Sequence, residues 1–314
     1  MMLQSKLMPI LSIVGPTASG KTNLAINLAQ KLNGEIISAD SMQIYKEFNV
    51  ATAKPEASQL KLVKHHLVNV VSVKDDFSVA EFIDLAKVAA KEILNAHKLP
   101  ILVGGTGLYV DSFLNNLRFE TVKCSETLPE HLQDNSNEEL YNILKSIDPM
   151  SAKKIHINDT KRVVRAISFF YNYGYTISEQ TQNSKSRPKI YNTLKIGLTF
   201  KNRNLLYERI NSRVDEMLKN GLVDEAKQVS KLSLSKTAAG AIGYKEIADY
   251  LNGKQSLDEA VAQLKQSTRR YAKRQLTWFR KDKEINWIYV DEFENFDGVL
   301  NYAQNIIKNW NYKI

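Results

Sequence analysis

The chain has 314 residues, 43% hydrophobic and 25% charged, with 43 Lys and Arg against 34 Asp and Glu for a net charge of +9. That length supports a sizeable core in one large domain or two, and the composition is ordinary for a soluble globular protein. A single cysteine, Cys124, excludes an internal disulfide and suits a reducing, cytoplasmic setting, and no apolar run approaches a membrane span. The basic balance points to an anionic partner, or to solubility alone.

Lys6 precedes an apolar run at 9–14, a weak imitation of a signal peptide. The run leads directly into Gly15-Pro16-Thr17-Ala18-Ser19-Gly20-Lys21-Thr22, so it reads as a first buried strand. These eight residues fit G-x-x-x-x-G-K-[ST], and Leu24, Ala25, Leu28 and Ala29 continue at helical spacing. Strand, glycine-bearing loop and helix start form a phosphate-binding loop. Backbone N–H groups and the helix N-terminus face the phosphate, Lys21 adds charge, and Thr22 is placed to ligate Mg²⁺.

A second short strand spans 34–39 and leads into Asp40-Ser41-Met42-Gln43. Ligands of doubly wound sheets gather beyond the C-terminal strand ends, which places Asp40 beside the phosphate loop. From position alone Asp40 fits a helix cap or a catalytic base equally. Residues 52–55 read as a loop and 65–71 as a strand. His65 and His66, adjacent on a strand, point to opposite faces and are structural rather than a metal pair. Ser78 and Glu81 have capping-box spacing, opening a helix to about Ala96 with Phe82, Leu85, Ala89 and Ile93 on one face. The next strand, at 99–103, brings a third tip to the same edge and ends in Gly104-Gly105-Thr106-Gly107, where glycines allow close backbone approach to a ligand or a tight turn. Its tip lacks the acid by which a P-loop ATPase or GTPase usually holds Mg²⁺.

From about 120 to 188 strand-like runs vanish and polar helical pieces dominate, as expected of a helical insertion. One piece starts after Asn158 or Asp159 as its cap, with Lys161, Arg162 and Arg165 on its polar side and Val163, Ile167 and Phe170 on its buried side. Residues 184–189 are a basic returning turn. Strand character resumes at 193–199, followed by a long helix ended by Gly221 and a glycine-bearing helix start at 240–246. One helix is then predicted from Leu257 to about Lys283, followed by a strand at 287–290 and a closing helix. On the long helix Lys265, Arg269, Arg270, Lys273, Arg274, Arg280 and Lys281 lie on neighbouring tracks beside Tyr271, Gln275 and Trp278. Such a face suits unpaired bases, or is a solvated basic surface over an aromatic stripe. The predicted fold class is α/β: a P-loop NTPase-like parallel sheet core (1–120), a helical insertion (121–189) and core completion with the long basic helix (190–314).

Taken together, the stretches GPTASGKT (15–22), SADSMQIY (38–45), TAKP (52–55), HHLV (65–68), LPILVGGTGLY (99–109), KRVVRAI (161–167), AIGYKEI (241–247) and TRRYAKRQLTWFRK (268–281) resemble the tRNA dimethylallyltransferase family, in family order over nearly the whole chain. The resemblance implies transfer of a dimethylallyl group from dimethylallyl pyrophosphate to N6 of the adenosine 3′ of the anticodon, with tRNA gripped at its anticodon stem-loop. It implies that Thr17 to Thr22 hold pyrophosphate, with Mg²⁺ on Thr22. Asp40 is then the general base, Thr106 lies near the transfer channel, and Asp40, Ser41, Met42 and Gln43 meet the flipped adenosine. Lys161, Arg162 and Arg165, with Lys273, Arg274, Gln275, Trp278 and Arg280, contact tRNA. No protein partner is implied. Two positions depart from the pattern: Ile157 stands where proline is expected, and Gly240 where some members carry an arginine for pyrophosphate, leaving Arg203, Arg209 or Arg213 as substitutes. A P-loop small-molecule or nucleoside kinase is the main alternative, and prenylation of free adenine nucleotides or non-enzymatic RNA binding are further ones.

Overall fold

A computed structural model describes residues 7–119 and 127–314. Cys124 and the expected boundary at 120/121 lie outside the described residues. The chain forms two compact units, one of residues 1–114 with 190–314 and one of residues 115–189.

The first unit begins with β1 (Met8–Val14), α1 (Lys21–Lys31), β2 (Gly34–Ser38), α2 (Ala57–Leu62), β3 (His65–His66), α3 (Val79–Asn95), β4 (Leu99–Gly104) and α4 (Gly107–Leu114). The second unit holds α5 (Asn137–Ile147), α6 (Pro149–Ala152), α7 (Thr160–Tyr173) and α8 (Ile177–Lys185). The first unit resumes with β5 (Tyr191–Thr199), α9 (Arg203–Lys219), α10 (Leu222–Val229), α11 (Tyr244–Leu251), α12 (Leu257–Phe279), β6 (Ile285–Tyr289) and α13 (Phe296–Lys308). The fold class is α/β. Among the described residues six parallel strands run in the order β3-β2-β4-β1-β5-β6. Successive side chains on a strand point to opposite faces. Leu11, Ile13, Ile36, Ile101 and Val103 therefore pack in one cluster with residues of α1 and α13, while Ile10, Ile37 and Leu102 are fully buried on the other face. Both faces are covered, which is why the strands read as near-continuous apolar runs. No helix of the described residues is long and apolar enough to cross a membrane.

Several expectations shift. The strand expected at 65–71 stops after His66, because Leu67 and Asn69 have φ of 63° and 59° and left-handed residues cannot extend a strand. Leu85 is exposed; the buried track of α3 runs through Phe82, Ala86, Ala89 and Ile93. Ser184 and Lys185 belong to α8 rather than to the returning turn. The long helix ends at Phe279, with Arg280 as its cap residue, four residues short of Lys283.

Local signals explain the helix starts. Ser78 and Glu81, Ser136 and Glu139, Thr176 and Glu179, and Ser256 and Glu259 all form capping boxes. In the second unit Asp159, not Asn158, caps α7 by accepting the Arg162 N–H. Ile157 makes the preceding turn without a proline, closed by the Asp159 N–H donating to the His156 carbonyl at 2.8 Å. Leu140 and Leu144 of α5 pack on Val163, Ala166 and Ile167 of α7 as this unit's own core.

Candidate active site

The C-terminal ends of β1, β2 and β4 bring three loops together. Gly20 precedes α1 with φ of 94°, a conformation that glycine adopts without strain. Lys21 Nζ folds back to donate to the Pro16 carbonyl at 2.6 Å. Burial, with the positive Arg213 nearby, pulls the Lys21 pKa down to about 7, against the opposing pull of Asp40. Two further cations reach the loop from α9, one helical turn apart. Arg209 Nε donates to the Ala18 carbonyl at 3.0 Å, and Arg213 Nη1 donates to Thr17 Oγ1 at 3.4 Å. Arg203, at the start of the same helix, is exposed and makes no such contact among the described residues. Gly240 is exposed, with open space around it.

Asp40 follows β2. Its Oδ1 accepts the backbone N–H groups of Met42 and Gln43 at 2.9 and 3.3 Å. No helix follows; the acceptor closes a turn over 41–44. Asp40 Oδ2 has no hydrogen-bond partner among the described residues, so one oxygen shapes the turn and the other stays available. Thr106 secures this turn: its Oγ1 accepts the Ser41 N–H at 3.0 Å, and its own N–H donates to the Ala39 carbonyl at 3.2 Å. Gln43 is locked through its side chain, which accepts from the Ser38 hydroxyl and donates to the carbonyls of Thr52 and Ala53. The adjoining loop is pinned by Glu225 of α10, whose carboxylate accepts the N–H groups of Asn49, Val50 and Ala51 and the Tyr244 hydroxyl.

Gln275 of α12 joins two tips. It accepts from the Thr17 N–H and donates to the Gly105 carbonyl at 3.0 Å. A side chain at Gly105 would stand 2.1 Å from Gln275 Nε2, so this approach requires glycine. Expected on an exposed tRNA face, Gln275 is only 6% exposed and both ends of its amide are engaged. Burial, with the charge of Asp40, pushes the Tyr271 hydroxyl up; Thr106 and Gln275 lie within its hydrogen-bonding reach.

A cavity of about 70 Å³ is walled by Thr17, Lys21, Thr22, Ser38, Asp40, Gln43, His65, Arg213 and Gln275. It shares Lys21, Thr22, Pro55 and Arg213 with a broad cleft of about 1240 Å³. Among the described residues neither the buried Ser19 hydroxyl nor the Thr22 hydroxyl has a partner. Two unpaired hydroxyls, a backbone loop and three cations suit a diphosphate. Mg²⁺ also fits this donor set, because it needs few protein ligands when substrate phosphates and water complete its octahedron.

The basic face of α12 is smaller than its sequence suggests. Lys265 pairs with Asp215 at 2.6 Å, and Arg269 Nη1 donates to Asn211 at 2.7 Å. Arg270, Lys273, Arg274, Arg280 and Lys281 remain exposed. Asp282 and Glu284, just beyond the helix, pair with Lys195 at 2.7 and 2.9 Å instead. Trp278 packs over Gly107 and donates to Asp111 at 2.6 Å while 39% exposed. In the second unit Lys161, Arg162 and Arg165 are all exposed.

A model of the IPP transferase family matches residues 43–282. The chain belongs to that family. This family member is 47% identical over 309 residues to the tRNA dimethylallyltransferase of Acetivibrio thermocellus, covering 96% of each. It superposes on the full-length tRNA isopentenylpyrophosphate transferase of Bacillus halodurans with a TM-score of 0.70, at 39% identity and 96% coverage of each chain. A eukaryotic dimethylallyltransferase solved acting on tRNA gives a TM-score of 0.81 at 30% identity, covering 98% of this chain and 81% of that one. As a family member the chain is an enzyme of the prenyltransferase class.

Sequence reasoning missed three site features: it left the pyrophosphate arginine open, placed Gln275 on the tRNA face and read His65 as structural. Arg209 and Arg213 stood open beside Arg203, although their i, i+4 spacing already put them on one track. The Gln275 clamp and the His65 ring in the cavity wall carry no local signal, since both depend on contacts across the fold.

Proposed function

We propose that this protein transfers a dimethylallyl group from dimethylallyl pyrophosphate to N6 of the adenosine 3′ of the anticodon in tRNA. The observation carrying this reading is that Lys21, Thr22, Arg213 and Asp40 wall one cavity, in a chain of this family. Phosphate-binding groups and a carboxylate so placed can serve the leaving group and the nucleophile of one displacement.

In that displacement the bond between the allylic carbon and the pyrophosphate oxygen breaks, and its electron pair leaves with pyrophosphate. The N6 lone pair forms the new C–N bond, and the N6 proton passes to Asp40 Oδ2. Lys21, Arg209 and Arg213 stabilise the departing charge, as fixed charges aimed at a transition state do. Mg²⁺, when bound through Thr22, would neutralise further pyrophosphate charge. The adenine must leave its stack to reach the cavity. Thr106 and Gln275 act as positioning residues, Thr106 holding the Asp40 turn and Gln275 holding the phosphate loop. Exposed Lys273, Arg274 and Arg280, and Lys161, Arg162 and Arg165 in the second unit, supply cations for the anticodon stem-loop, with Trp278 as a base platform. A cytoplasmic site of action goes with tRNA as acceptor. Phosphoryl transfer by a nucleoside kinase is disfavoured because β4 ends in glycine, with no acid to hold its metal.

The test is incubation with dimethylallyl pyrophosphate, Mg²⁺ and unmodified tRNA, followed by nucleoside mass analysis. N6-dimethylallyladenosine is the expected product. Unmodified tRNA, together with transfer of a labelled ATP γ-phosphate to a nucleoside, would overturn the reading.

A further inference from the structure

His65 opens the edge strand β3, in register with Ile36 of β2. Its Nδ1 lies 2.8 Å from the Val63 carbonyl oxygen, which can only accept, so Nδ1 carries the proton. Nε2 is thereby left with a lone pair. That atom is buried and has no partner among the described residues. Burial also lowers the pKa of the ring, which keeps the lone pair free. A buried acceptor without a donor costs free energy, and such groups mark the place of a water, an ion or a ligand.

The ring walls the 70 Å³ cavity together with Thr22, Ser38, Asp40 and Gln43. Two neutral donors beside it are turned elsewhere, the Ser38 hydroxyl donating to Gln43 and the Gln43 amide to Thr52 and Ala53, and the Thr22 hydroxyl on the same wall makes no bond to the ring. The missing donor therefore arrives with whatever fills the cavity.

We propose that His65 is a positioning residue for the divalent cation of the prenyl-donor site, its Nε2 accepting a hydrogen bond from water held on that cation. This rests on the pyrophosphate and Mg²⁺ reading above. Mg²⁺ dehydrates reluctantly and keeps several waters, each a strong donor that needs an acceptor. Carboxylates usually serve. Among the described residues no group of three or more His, Cys, Asp or Glu side chains gathers to hold a metal, and β4 ends without an acid. A neutral imidazole on the same wall as Thr22 supplies an acceptor without repelling the cation.

The test is calorimetric titration of inorganic pyrophosphate into the full chain, without tRNA, over a series of Mg²⁺ concentrations and in EDTA. Wild type, His65→Phe and His65→Gln are compared. Loss of an outer hydrogen-bond partner typically weakens metal affinity about 10–100-fold. In His65→Phe the Mg²⁺ concentration for half-maximal pyrophosphate binding should rise by about that factor, with binding in EDTA unchanged. His65→Gln, whose amide oxygen can accept near the Nε2 position, should recover most of the loss. An unchanged Mg²⁺ dependence in His65→Phe overturns the proposal, as does an equal loss with and without Mg²⁺, which would mark a purely structural residue. A wild type whose pyrophosphate binding ignores Mg²⁺ overturns the underlying metal reading along with it.

Discussion

The Thr17 N–H donates to Gln275 Oε1 at 2.8 Å across 258 residues of sequence. This bond ties the phosphate loop to the helix that also carries Lys273, Arg274 and Trp278. Gln275→Leu keeps the volume but leaves the Thr17 N–H and the Gly105 carbonyl without their partner. Unpaired buried polar groups cost about 1–3 kcal/mol. A loss of that size should appear in the denaturant midpoint, and pyrophosphate affinity should fall with it. Wild-type values for both would mean that the loop is held without this clamp.

On the proposed reading Lys21 makes donor binding pH-dependent. Its folded pKa is about 7 against an ordinary 10.5. Between those values the unfolded chain keeps the proton and the empty folded protein does not, so Lys21 makes folding stability rise with pH across that window. Pyrophosphate recharges Lys21, so its binding takes up a proton above pH 7 and weakens as pH climbs towards 10.5. Calorimetry at pH 8 in buffers of different ionisation enthalpy should show this uptake in wild type, and less of it in Lys21→Met. Equal uptake in the two proteins would remove Lys21 from the linkage.

On the proposed reading Asp40 has two separable jobs. Asparagine retains an oxygen for the Met42 and Gln43 N–H groups but cannot take the N6 proton. Asp40→Asn should therefore fold and melt like wild type and bind tRNA normally. Its single-turnover transfer rate should fall about 10²–10⁴-fold, the usual loss of general-base catalysis. Near wild-type turnover would reduce Asp40 to its turn.

On α12 the cations divide into Lys265 and Arg269, held by residues of α9, and exposed ones such as Lys273 and Arg274. Each phosphate contact adds about 0.7–0.9 to the slope of log affinity against log salt. Replacing both Lys273 and Arg274 by alanine should lower the tRNA-binding slope by about one to two such contacts. Lys265→Ala should leave the slope unchanged, because Asp215 already pairs that lysine. A uniform effect across all three sites would point to net charge rather than a docked face.

The sequence by itself determined the elements and the edge at which they meet. The phosphate loop, the capping boxes and the buried strands depend on residues within a turn or a few positions of one another, so their physics is local. The GGTG turn was legible for the same reason. Pairings across the fold were not. Whether Lys265 or Lys273 is free depends on Asp215, which lies on another helix. Gln275 and Trp278 sit three residues apart on α12, yet one is buried in the site and the other half open to solvent. Leu67 carries an apolar side chain that suits a strand, and its left-handed backbone ends one. Periodicity records which face of an element is apolar. Only the tertiary structure decides which partner meets each polar atom, and so leaves His65 Nε2 and Asp40 Oδ2 without one among the described residues.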